Sequence, residues 1–115
     1  IYTLHLAGGS DCTLESFCEM VARTAEAIGT ASIGIGSDLC QDQPDSALAW
    51  MRDGRWKKAR SGEVNFPAQP NFFETNADFP KLREGLRVAG FSDGEIGAIL
   101  GENWLNFFER SFEAA

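Results

Sequence analysis

The chain has 115 residues, enough for one compact domain burying about two-thirds of its unfolded surface and too few for a closed eight-stranded α/β barrel, which takes about 250. Its composition is that of a globular protein, with 43% hydrophobic residues spread along the chain and no apolar run long enough to cross a bilayer. A formal charge of −7 speaks against nucleic acid as a partner, because phosphates reward clustered Lys and Arg.

The N-terminal stretch, Ile1 to Leu6, lacks both the basic n-region of a signal peptide and an initiator Met, so the expectation is a truncated or processed chain. Ile1 to Leu4 reads as the end of a strand. His5 after it has two readings, a structural group or one that faces substrate. Leu14, Phe17, Cys18, Val21, Ala25 and Ile28 recur at helical spacing, with Thr13 as N-cap and Gly29 at the C′ position, which predicts a helix over 13–28. Ile33 and Ile35 then alternate with Gly34 and Gly36 at the period of a strand over 31–37.

Residues 39–77 read as a long loop, punctuated by Asp, Gln, Pro and Gly around Trp50, Met51, Trp56, Phe66, Phe72 and Phe73. These apolar residues predict that the loop packs down, with one short helix from Ala47 to Met51. Trp50 and Trp56 read as packing groups in a loop that could also roof a site. Arg52, Arg55, Lys57, Lys58 and Arg60 surround Trp56 and are opposed only by Asp53. Such a stretch can grip an anion or a single strand, but without a motif it reads as a solvated loop. Cys12, Cys18 and Cys40 form an odd set with no C-x-x-C pair, so reduced thiols in a cytoplasmic protein are the expectation, with Cys18 in the core.

Three further helices are predicted, over 79–89, 92–100 and 103–112. The first has Asp78 as N-cap, Phe79 and Pro80 in its opening turn, and Gly90 at its end. The second opens with Ser92 and Glu95 at capping-box spacing, and Phe91 and Ile96 at the spacing of a hydrophobic staple. Gly101 interrupts it, Asn103 is expected to cap the last helix, and Trp104, Phe107 and Phe108 are expected to bury.

The stretch with chemistry in it is Ile33-Gly34-Ile35-Gly36-Ser37-Asp38, a carboxylate directly after a short apolar strand. In α/β folds ligands gather at the C-terminal ends of strands, so Asp38 is the candidate catalytic residue and Gly36 leaves room for a ligand beside it. Asp in that place also serves as a turn residue or an N-cap.

G-I-G-S-D-L, followed some forty residues later by F-P-K-L-R-E-G-L-R-V-A-G-F-S-D-G-E-I-G-A-I-L-G-E-N-W, resembles the end of the membrane (renal) dipeptidases. The matching segments, Leu14 to Asp38 and Phe79 to Leu105, cover somewhat under half of the chain. The resemblance implies an α/β fold, the C-terminal part of a (β/α)8 TIM-like metallo-dependent hydrolase barrel, and hydrolysis of dipeptides at a two-zinc centre. Asp38 matches the family's aspartate at the end of the last barrel strand. Its implied role is to meet the substrate's free amino group and shuttle a proton from the attacking water to the leaving nitrogen, with Gly36 beside the substrate.

The family's metal ligands, an early H-x-D, a bridging Glu and two later histidines, have no counterparts, so the ligands for two zinc ions are expected upstream of Ile1. The implied partners are a dipeptide and either the rest of the barrel or a second copy of the chain. The competing readings are a non-catalytic acidic α/β interaction domain and a metal hydrolase of the amidohydrolase group acting on another amide.

Overall fold

A computed structural model describes residues 8–39, 43–54 and 68–112, with the side chain of Arg52 outside that set. The strand expected at Ile1 to Leu4, His5, Cys40, Phe66 and the basic residues from Arg55 to Arg60 therefore lie outside the described residues. Those that are described form helices α1 (Leu14–Ile28), α2 (Asp45–Asp53), α3 (Phe79–Val88), α4 (Asp93–Gly97) and α5 (Asn103–Phe112). A π-helical turn, Ala98–Glu102, joins α4 to α5, and short 3₁₀ turns precede α1 and α3 and follow α1.

The α/β expectation is overturned: among the described residues there is no strand, and so no sheet to which a barrel segment could belong. The beginning of the expected strand is taken up by the 3₁₀ turn Thr30–Ser32, and Ile33 to Leu39 run as irregular backbone. Ile33 has extended dihedrals, φ −106° and ψ 132°, but a strand exists only through a hydrogen-bonded ladder with a neighbour. Alternation of Ile and Gly records which residues turn inward, and cannot by itself supply that neighbour.

The helices form where short-range chemistry asks for them. The Thr13 side chain accepts the Ser16 N–H at 3.1 Å and opens α1, and Gly29, with φ 79°, closes it while its N–H reaches the Ala25 carbonyl at 2.8 Å. Ser92 and Glu95 make the predicted capping box at the start of α4: Ser92 N–H donates to the Glu95 carboxylate at 2.9 Å, and Glu95 N–H returns a bond to the Ser92 hydroxyl. At the end of α3, Gly90 with φ 97° lets Phe91 N–H reach back to the Leu86 carbonyl at 3.1 Å.

Other predicted boundaries shift. The short helix expected at Ala47 to Met51 extends over Asp45–Asp53. Asp78 stands at the N-cap position of α3 as expected, but its side chain makes no cap bond to that helix: it serves the turn Asn76–Asp78, whose N-cap is Thr75. Its carboxylate accepts the Thr75 and Glu74 N–H groups at 2.8 and 2.9 Å, and Lys81 lies 2.8 Å from its other oxygen.

The core lies where α1, α3 and α4 meet. Phe17, Cys18 and Val21 of α1 pack with Leu82 and Leu86 of α3, Ile96 of α4, and Ile99, joined by Ile33 and Phe73 from the connecting segments. Each such side chain, fully withdrawn from water, contributes about 1.5–3 kcal/mol. Gly85 lets α1 and α3 approach closely, since a methyl carbon built on it would lie 2.7 Å from Leu14 Cδ1 and 2.8 Å from Cys18 Sγ. Phe72 and Phe73 of the long connection do pack down, Phe72 against Phe17 and Phe73 edge-on to Phe79 with ring centres 5.1 Å apart.

The last helix departs most from expectation. Trp104, Phe107 and Phe108 were expected to bury, yet about half of each is exposed, and Phe112 more so. They stack on one another instead, Trp104 on Phe108 at 5.8 Å and Phe108 on Phe112 at 6.1 Å. Ile28 and Trp50, read as inward-facing, are exposed as well. Helical spacing identifies an apolar stripe, but burial needs a second surface to receive it.

Candidate functional site around Asp38

The segment that carries Asp38 leaves α1 through the turn Thr30–Ser32 and runs along the core. Ile33 is buried, and Ile35 and Leu39 pack against the core in part, so alternate apolar residues face inward as the sequence predicts even without a ladder. Ser37 and Asp38 lie between the last two of these anchors, and the Asp38 side chain is exposed.

Asp38 has φ 49°, the only positive φ at a non-glycine residue among those described. L-residues pay roughly 1 kcal/mol or more in this left-handed region, which Asp tolerates better than most because its short side chain can bond locally. The local backbone bond beside it is weak: Leu39 N–H reaches the Ser37 hydroxyl at 3.5 Å. A strained backbone at a carboxylate is a feature that recurs at functional sites.

Gly36, the expected substrate-side glycine, is exposed and would meet nothing within 4 Å if it carried a side chain, so space beside it is open. Gly34 is the opposite case. A methyl carbon built there would lie 2.7 Å from Cε2 and 2.9 Å from Cδ1 of the Trp104 indole, so only glycine lets α5 come this close.

Asn103, next to that tryptophan, corrects another expectation. It does not stand outside the helix as a cap: its backbone is helical, φ −62° and ψ −40°, and its side-chain nitrogen donates two hydrogen bonds, to the Thr30 carbonyl and the Ile33 carbonyl, each at 2.8 Å. The break expected at Gly101 is present, with φ 177° and ψ −35° inside the π turn, and it delivers Asn103 to these carbonyls. A shallow hollow of about 370 Å³ opens beside them, lined by Ala31, Asn103, Asn106, Glu109 and Arg110. Local pattern could not reveal this contact, because its partners are 70 and 73 residues apart.

A second concavity, about 570 Å³, lies elsewhere, between α1 and α3. Leu14, Cys18, Gly85, Val88 and Ala89 line it, with Glu15, Glu19 and Glu84 at the rim. Neither hollow is lined by Asp38 or Gly36. Cys18 is buried, and burial, with the nearby Cys12 adding to it, pushes its thiol up to about 11. Burial raises Cys12 too.

Among the described residues no group of three or more His, Cys, Asp and Glu is placed to hold a metal ion. The chemistry that can be read around position 38 is that of one exposed carboxylate on an anchored segment. Among the same residues no helix is long and apolar enough to cross a membrane. No family model, curated protein or solved structure matches the chain.

Proposed function

We propose that the chain is part of a zinc-dependent dipeptidase in which Asp38 binds the substrate's free ammonium group and carries a proton between water and the leaving nitrogen. The observation that supports this reading is the meeting of the two halves of the dipeptidase-like pattern. Gly34 of G-I-G-S-D lies against Trp104 of G-E-N-W, and Asn103 bonds the carbonyls at the root of the segment that ends in Asp38. Two stretches that resemble one family and also touch each other are stronger support than either stretch alone.

The chemistry asked of Asp38 is modest. A carboxylate accepts charge-assisted hydrogen bonds from an ammonium group, which selects substrates with a free amino terminus. The same carboxylate can take a proton from the attacking water and return it to the amide nitrogen as the C–N bond breaks, work that contributes about 10²–10⁴-fold. Zinc enters this reading through ligands upstream of Ile1, outside the chain.

The test is hydrolysis of a panel of L,L- and L,D-dipeptides by the intact protein, with and without added zinc. Zinc-dependent cleavage is expected, with kcat/KM about 10²–10⁴-fold lower in Asp38→Asn. A protein that cleaves no dipeptide with zinc present, or an Asp38→Asn variant as active as the parent, overturns the proposal. Cleavage confined to N-acylated amides would move the assignment to another class of metal hydrolase.

A second reading, a non-catalytic interaction domain, draws on the exposed row Trp104, Phe107, Phe108 and Phe112 of α5. It predicts that Trp104→Ala and Phe108→Ala abolish binding to a partner in a protein without hydrolytic activity.

A further inference from the structure

We propose that Asn103 is a positioning residue for Asp38, an assignment that rests on the dipeptidase reading and deepens it. The reason is the missing ladder. In a sheet, a neighbouring strand would hold the segment straight; among the described residues there is no strand to do so, and the turn at its root is closed by Ile33 N–H donating to the Thr30 carbonyl at 3.2 Å. The Asn103 amide nitrogen takes over part of that work, donating to Thr30 and Ile33 from a partly buried position.

The adjacent Trp104 closes the other side by standing against Gly34. Two consecutive residues of α5 thus grip the root of the segment, while Ile33, Ile35 and Leu39 seat it on the core. The grip has a steep consequence for chemistry, because a displacement of about 1 Å at a reacting group can lower rate by about 10²-fold. An asparagine is suited to the task, as its NH₂ offers two donors from one atom, which neither Asp nor Leu of similar size provides.

Asn103→Asp removes both donors at constant shape and sets a carboxylate against two carbonyl oxygens. In the intact protein its kcat/KM for dipeptides is expected to fall about 10–100-fold, the range seen when a supporting hydrogen bond is lost. The loss should be confined to proteins that still have Asp38: in an Asp38→Asn background, adding Asn103→Asp should change the residual rate less than about twofold, because groups that act through one another are not additive.

An arm independent of catalysis is amide hydrogen exchange. Peptides spanning 30–39 should exchange at least about tenfold faster in Asn103→Asp, while those of α1 keep their protection. Unchanged exchange in 30–39, or an activity loss equally large in the Asp38→Asn background, overturns the assignment. Faster exchange in 30–39 of a wild type that hydrolyses no dipeptide would leave the grip standing and sink the enzymatic reading. Should Asn103→Asp lose protection in α1 as well, Asn103→Ser, which retains one donor, carries the same two measurements with smaller expected changes and the same overturning results.

Discussion

The Trp104 indole fills the space into which any side chain at position 34 would have to project. Gly34→Ala therefore forces either the tryptophan or the backbone of the 33–39 segment to move, and overpacking of this kind destabilises by about 1–3 kcal/mol. Urea denaturation followed by Trp fluorescence reads the loss. Trp104→Phe in the same chain should recover part of it, because the smaller ring withdraws the atoms that collide. Equal stability of Gly34→Ala and the parent would show that the two elements are not in contact.

Gly85 and Gly94 make a contrasting pair. Both lie in helices, but a methyl group on Gly85 meets Leu14 and Cys18, whereas one on Gly94 meets nothing within 4 Å. Gly94→Ala should stabilise by about 0.4–1 kcal/mol, through the reduced freedom of the unfolded chain. Gly85→Ala should destabilise by about 1–3 kcal/mol despite the same entropic gain, because the tips of Leu14 and Cys18 must give way. Thermal midpoints of the two variants should move in opposite directions.

Removing the Ser92 hydroxyl takes away half of the capping box that starts α4. Ser92→Ala should cost about 0.5–2 kcal/mol, while Ser92→Asp, which keeps an acceptor at the same place, should cost less. The measurement is the urea midpoint of each variant against the parent.

Acid should erode the fold through two carboxylates. Lys81 first, then the Thr75 and Glu74 amides, hold Asp78 well below the usual carboxylate range, and the hydroxyl and N–H of Ser92 lower Glu95. A carboxylate whose folded pKa is depressed adds stability that is complete above its unfolded value, about 4, and is lost as pH falls through the folded one. The denaturation midpoint of the parent should therefore fall between about pH 5 and pH 2.5, and Asp78→Asn should show a shallower fall over the same window. A variant with the parent's slope would exclude Asp78 as a source of that dependence.

Cys12 and Cys18 should resist alkylation. Both are free and buried, and burial raises both thiols, Cys18 to about 11. With iodoacetamide at pH 8, site-resolved mass spectrometry should find these two positions unmodified in the folded chain and modified in urea. Modification of Cys18 without unfolding would mean that the groove between α1 and α3 opens to its floor.

What could be read from the residues alone was decided within a few positions. Thr13 and Gly29 bound α1, Ser92 and Glu95 start α4, Gly90 ends α3 and Gly101 breaks the helix after it, each by a hydrogen bond or a backbone preference that needs only near neighbours. The inward set Phe17, Cys18 and Val21 of α1 was legible for the same reason, because helical period places apolar residues on one face. Tertiary structure decided everything that required a distant partner. Among the described residues, Ile33 to Asp38 has the alternation of a strand but meets no ladder, the aromatic face of α5 meets no covering surface, and Asn103, read as a cap, meets carbonyls 70 and 73 residues away. A side chain's periodicity states which way it points; only the folded chain supplies what stands there to meet it.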